Sequence, residues 1–242
     1  MILASYLGEL DRLLRGRLNV RAQDPALPDL EPRIDTDGVR LAFVILFLGM
    51  LYGLCMGSFA VVSGRAGTWK QMLSSAVKVP ALFLLTVAVT FPSLYVFSAL
   101  VNSNLTLRTT WRLIIAALAV TLAVLASFGT IVAFFSFTTE SHAFMVLLNV
   151  GVFAVAGLFG VAFLLRTLRA VTRVPAVEGA EPGRSPVKRV FAIWMLLFAL
   201  VGAQMSWVLR PFIGGQAEFA VFRGRGSNFF EAVWGLAGKL FG

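Results

Sequence analysis

The chain has 242 residues, of which 58% are hydrophobic and 14% are charged, and its formal net charge is +9. Its mean hydropathy of +0.85 lies far above that of soluble domains, in which about half of the residues are apolar. This composition excludes an ordinary soluble domain, and the basic residues beside long apolar runs indicate membrane topology, so we expect no nucleic-acid partner.

The N-terminal region divides into two parts. Residues 1–20 place leucines at helical spacing, with arginines at other positions of the helix. Such a helix is too charged to cross a bilayer, and it is predicted to be an amphipathic interfacial helix on the membrane surface, with packing on a neighbouring helix as the alternative. Residues 21–39 contain three prolines and five acidic residues, which predict an extended linker.

Five apolar runs are each long enough to cross the roughly 30 Å hydrocarbon core of a bilayer as a helix. They are predicted at residues 40–64, 79–101, 113–137, 143–168 and 190–209. The second is expected to begin at Val79 and Pro80, with residues 68–78 forming a short interfacial helix before it. The predicted fold class is therefore all-α, a polytopic integral membrane protein with a five-span bundle over residues 40–209.

Small residues recur at four-residue spacing in several spans, and this spacing lets two helix backbones approach closely. In the first span the small-residue face comprises Gly49, Gly53 and Gly57. It is expected to pack against the third or fifth span, or to mediate self-association. The other predicted packing positions are Ala119, Ala123 and Ser127 in the third span, Gly157 and Gly160 in the fourth, and Gly202 in the fifth.

Groups for chemistry are scarce inside the predicted spans. No ionisable residue lies in the central part of a span, and the chain has one histidine and one cysteine. Proton-coupled transport and metalloprotease chemistry need such groups, and no nucleotide-binding or nucleophile motif is present. The sequence predicts no catalytic residue, no metal site, no cofactor and no enzyme activity. Asn149 and Gln204 are expected to hydrogen-bond between helices or, alternatively, to line a pore.

Residues 210–242 form a C-terminal segment with too many charges for a sixth span. Asn228 and Glu231 have the spacing of a capping box, in which each side chain bonds the backbone of the other. An amphipathic interfacial helix is therefore predicted at 228–241. Its apolar side chains Phe229, Phe230 and Trp234 form a candidate interface.

Orientation follows the distribution of Lys and Arg outside the spans. With the N-terminus in the cytoplasm, the cytoplasmic segments carry fourteen: six in residues 1–40, Arg108 and Arg112, and six in residues 166–189. The opposite segments carry seven. This asymmetry predicts a multi-pass protein of the inner (cytoplasmic) membrane, with the C-terminus on the far side.

The second span carries a family resemblance. Lys78-Val79-Pro80, then residues 82–86 (LFLLT) and 90–95 (TFPSLY), resemble second-span sequence of bacterial proteins of the Yip1 family. The resemblance covers residues 40–209, and the long C-terminal segment departs from it. It implies five spans, a cytoplasmic N-terminal region and a role in membrane organisation without a catalytic residue.

The sequence as a whole predicts a non-enzymatic membrane scaffold or accessory subunit. We expect it to organise lipid or to pack with other membrane-protein subunits or with itself, because its small-residue faces and aromatic tail suit contact. The alternative is an oligomeric channel or facilitator lined by hydroxyl and amide side chains.

Overall fold

The computed structural model describes residues 8, 10–15, 20–21, 33–34, 38–62, 68–100, 106–171, 186–213 and 228–241. Residues 10–14 are helical. The longer helices are α1 (Gly38–Val62), α2 (Thr68–Leu100), α3 (Leu107–Thr138), α4 (His142–Val171), α5 (Pro186–Leu209) and α6 (Phe229–Phe241). Two short strands, β1 (Val20–Arg21) and β2 (Arg33–Ile34), pair antiparallel with Val20 opposite Ile34.

The helices α1 to α5 are each long and apolar enough to cross a membrane. The prediction of an all-α multi-pass membrane protein is therefore confirmed. A bilayer offers the backbone no hydrogen-bond partners, so each span satisfies its own amides and carbonyls as a helix.

Helix α1 lies at the centre of the bundle, with α2 packed along one side and α3 along the other. Helix α4 packs on α3, and α5 packs on α2. Burial differs widely among the spans: 61% of the α3 span is buried inside the protein, 44% of the α1 span and only 11% of the α5 span. Most of the surface of α5 therefore faces outward from the bundle.

Helix α2 begins earlier than the sequence suggested. It runs without interruption from Thr68 through Pro80 and Pro92, so the prediction of a separate interfacial helix at 68–78 is wrong. A proline inside a membrane helix is tolerated where a neighbouring helix supports the backbone around it. Helix α1 packs closely beside Pro80 through Gly49.

The glycine face of α1 makes the contact with α2, rather than with the third or fifth span. A Cβ added at Gly49 would lie 3.0 Å from the Pro80 Cβ, and one added at Gly57 would lie 2.7 Å from the Met72 Cα. At Gly53 the added Cβ would lie 2.6 Å from the Ala76 Cα. Any side chain larger than hydrogen would push the two helix backbones apart.

Some of the other predicted packing positions lie at a helix contact, and others do not. Ala119 is buried and Ala123 half-buried, but Ser127 is exposed, because a four-residue step rotates each position about 40° around the helix. The Thr121 side chain of α3 occupies the space beside Gly160, and Thr86 of α2 lies near Gly202. An added Cβ at Gly157 would meet open space, so this residue does not mark a helix contact.

The helices near the two ends of the chain are stabilised by different contacts. Leu10 and Leu13 are buried in the hydrophobic core, so in the described part the first helix packs on protein, as in the alternative given for it, and its place on the membrane surface stays a prediction. In α6 the Glu231 amide donates to Asn228 Oδ1 at 2.9 Å, and the Asn228 amide donates to Glu231 Oε2 at 3.2 Å. This reciprocal capping box begins the helix. Residues 22–32 and 35–37 of the predicted linker lie outside the described residues.

We expect Gly53→Ala to lower the free energy of unfolding by about 1–3 kcal/mol, the cost of overpacking a closely packed contact. Unfolding in mixed detergent micelles, followed by tryptophan fluorescence, measures the change. Gly157→Ala is the matched control, since its new methyl group meets no atom within 4 Å. Equal stability of the two variants would contradict close packing of α1 on α2.

Candidate functional site

Side-chain hydrogen bonds join the bundle at several points, and the first along the chain lies between α1 and α4. Tyr52 donates from its hydroxyl to Asn149 Oδ1 at 2.7 Å, and Asn149 Nδ2 donates to the Met145 carbonyl at 2.8 Å. Both side chains are buried. The Asn149 amide is thus paired within the chain, which agrees with a role in helix packing.

Aromatic rings surround this pair. The Phe153 ring meets the Tyr52 ring edge to face, with centroids 5.6 Å apart. The Phe83 ring of α2 stacks on Phe153 at 5.8 Å. These contacts connect α1, α2 and α4 around a single hydroxyl–amide bond, in surroundings where an unpaired polar group is costly.

The second contact joins one face of α2 to the segment that follows α5. Gln71, Ser75 and Lys78 are spaced by four and three residues, so they share that face. Lys78 Nζ donates to the Pro211 carbonyl at 3.0 Å, and Gln71 Nε2 donates to the same oxygen at 2.8 Å. The Ser75 hydroxyl donates to the Phe212 carbonyl. We name Gln71, Ser75 and Lys78 the α2 anchor.

The chain geometry after α5 presents these carbonyls to α2. Helix α5 ends at Leu209, and the Arg210–Pro211 peptide bond is cis. The Arg210 guanidinium lies over the Trp207 ring, 3.6 Å from its centroid, in a cation–π contact. Residue 213 is an isoleucine buried in the core, so the segment closes against the bundle.

Lys78 lies further inside its helix, and is more buried, than the sequence indicated. It is ten residues inside α2 and only 5% exposed. The Gly49–Pro80 and Gly53–Ala76 contacts place it beside the middle turn of the 25-residue α1. The structure thus places an ionisable residue inside a span, at the tenth position of the 29-residue stretch Trp69–Phe97. The early start of α2 moves Lys78 from a loop into a span.

Gln204 and Asn149 do not share a surface. Gln204 is exposed on α5, whereas Asn149 is buried between α1 and α4. Hydroxyl groups within the spans bond mainly inside their own helices, donating to a carbonyl three or four residues earlier. This set comprises Thr86, Thr90, Ser93, Thr121, Ser127, Thr130 and Ser206.

Over the described ranges, no group of three or more His, Cys, Asp or Glu residues could hold a metal ion. In the α2 anchor the fold brings an ammonium, an amide and a hydroxyl against backbone carbonyls. Such an arrangement positions a chain segment by hydrogen bonds and holds no paired acid and base.

The candidate interface of α6 is partly exposed. Phe230 and Trp234 lie one helical turn apart, and Trp234 is 84% exposed. Phe229 is half-buried, and α6 contacts α4 and α5. The helix therefore rests on the bundle with two aromatic rings directed away from it. Tryptophan at such a position suits the headgroup region of a bilayer.

We expect Lys78→Met to loosen the segment after α5, because the Pro211 carbonyl loses its charged donor. A cysteine introduced as Ile213→Cys in a Cys55→Ala background should react with maleimide about tenfold faster in this variant, since the lost bond is worth roughly 1–3 kcal/mol. Lys70→Met is the control, as Lys70 is an exposed lysine on the same helix. Equal labelling rates would show that the α2 anchor does not hold the segment.

The Tyr52–Asn149 bond predicts coupled effects on stability. Tyr52→Phe and Asn149→Leu should each destabilise the protein, and the double variant should cost less than the sum of the two. The expected coupling is about 0.6–2 kcal/mol, the range of interhelical hydrogen bonds in membranes. Unfolding in mixed micelles measures it, and strictly additive effects would exclude the bond.

The chain was compared with known proteins on the basis of its sequence and its fold. It matches no protein-family model, no curated protein and no solved structure. The fold and its polar contacts are therefore the basis for assigning a function.

Proposed function

We propose that this membrane protein is a non-enzymatic scaffold or accessory subunit, which packs with other membrane-spanning chains or with itself and organises the lipid around it. The proposal includes membership of the Yip1 family, which residues 40–209 resemble in sequence. It needs no cofactor and no catalytic residue, and its partners are membrane proteins and the bilayer.

The observation that carries the proposal is the exposure of α5. Only 11% of its span is buried, although α5 is as apolar as the better-covered α2. One side of α5 packs on α2, where the Trp194 indole donates to the Thr90 carbonyl at 2.8 Å. The other side carries Gln204, whose amide is costly to leave against hydrocarbon. A partner chain on this side would supply the missing bond.

The bundle interior supports contact rather than transport. Its buried amide, Asn149, is bonded to Tyr52, and its serine and threonine hydroxyls bond mostly within their own helices. A passage for polar solutes needs such groups to face an open path. The channel alternative has less support among the described residues, because Asn149 and Gln204 lie on separate surfaces.

The proposed orientation places the N-terminus in the cytoplasm. Arg40 lies near the start of α1, Arg112 near the start of α3, and Arg166 near the end of α4. Because successive spans alternate in direction, these arginines lie at one end of the bundle. Under the positive-inside rule this end faces the cytoplasm of a bacterial inner membrane, and α6 rests on the opposite surface.

Native mass spectrometry of the protein, extracted in mild detergent from its own membrane, tests the proposal. We expect an assembly with a fixed number of membrane chains, since a subunit is stabilised by its partners. A single chain without a partner across several detergents would contradict a subunit role.

Solute flux into liposomes provides the second measurement. The purified protein should leave the permeability of the liposomes to small polar solutes unchanged. A flux that Asn149→Leu or Gln204→Leu abolishes would favour the channel instead. Tyr52→Phe serves as the control for loss of packing in such an experiment.

A further inference from the structure

The outward side of α5 carries a regular seam. Ile193, Leu197, Leu200 and Gln204 follow one another at spacings of four, three and four residues. All four are exposed. Alternating spacings of four and three residues are the pattern of the contact positions of a two-helix coiled coil. We name these four residues the α5 seam.

The α5 seam lies directly opposite the side by which α5 is held. Phe191, Trp194 and Leu209 on that inner side are buried, and Gly202 faces Thr86 of α2. At 100° per residue, Gly202 and the seam stand about 180° apart. The seam is thus available for an outside helix without disturbing the contact between α5 and α2.

The side chain of Gln204 indicates which kind of partner would pack on the α5 seam. It lies five residues before Leu209, or about 7.5 Å inside the end of the span. A carboxamide offers both a donor and an acceptor, so two glutamines can satisfy each other reciprocally. Lipid tails offer neither group. A single polar residue at such a position also fixes the register and the number of helices in a coiled coil.

We infer that a second copy of this chain packs on the α5 seam, with the two α5 helices parallel and the Gln204 amides hydrogen-bonded to each other. Both copies insert in the same orientation, so a twofold axis along the membrane normal places each seam residue opposite its own counterpart. This inference rests on the proposed function and specifies the partner as a second copy.

Cysteine cross-linking in native membranes tests the geometry. In a Cys55→Ala background, Leu200→Cys should form a disulfide-linked dimer on mild oxidation, because equivalent seam residues face each other across the axis. Leu158→Cys on α4 is the control, since Leu158 is 68% exposed at a comparable depth on another span. Equal cross-linking at both positions would indicate random collision and overturn the inference.

The amide itself is tested by association in micelles of matched detergent. Gln204→Leu should weaken dimerisation by roughly three- to thirtyfold, the effect of losing interhelical hydrogen bonds in a membrane. Gln204→Asn keeps the amide and should retain most of the association. Thr130→Val removes an exposed hydroxyl from α3 and should leave the association unchanged. Unchanged dimerisation in Gln204→Leu would overturn the role of the amide.

Two differently tagged copies, counted by native mass spectrometry, separate this inference from the proposed function. An assembly with two copies and a Leu200→Cys cross-link supports both. An assembly with one copy and a different membrane chain overturns the second-copy inference and leaves the proposed function standing. A single chain without partners overturns both.

Discussion

The contact between the glycine face of α1 and the backbone of α2 sets the position of everything else in the bundle. Hydrocarbon tails are as apolar as leucine, so close van der Waals packing is one of the few forces that can hold two spans together. Three glycines bring the helices within reach over about two turns, from Gly49 at Pro80 to Gly57 at Met72. That approach supports α2 through residues 72–80 and fixes the depth of the α2 anchor.

The span count and the apolar boundaries of α1, α3, α4 and α5 could be predicted from hydropathy, because a charge or a polar turn ends each of them. The capping box of α6 could be read as well, since Asn228 and Glu231 act through local geometry. The start of α2, in contrast, could not be predicted from hydropathy. Hydropathy indicates that Lys70, Gln71 and Lys78 are interfacial residues, whereas the contact with the glycine face of the preceding helix α1 makes that stretch part of a span.

The candidate site was harder to predict for the same reason. Asn149 is visible as an amide in a span, but its partner Tyr52 lies 97 residues earlier on a helix that contacts it only after folding. The α2 anchor was hidden because its acceptors are backbone carbonyls, which carry no sequence signature. The spacing of Gln71, Ser75 and Lys78 was a usable signal, since three polar residues at helical intervals predict a shared surface.

The separation of Lys78 from its acceptor has a consequence for biosynthesis. The Pro211 carbonyl lies 133 residues later in the chain, after three further spans. While those spans are being made, the second span enters the membrane without the carbonyls that finally receive its ammonium group. The bond between Lys78 and Pro211 can therefore form only after the last span has been synthesised, so it joins the second span to the end of the fifth.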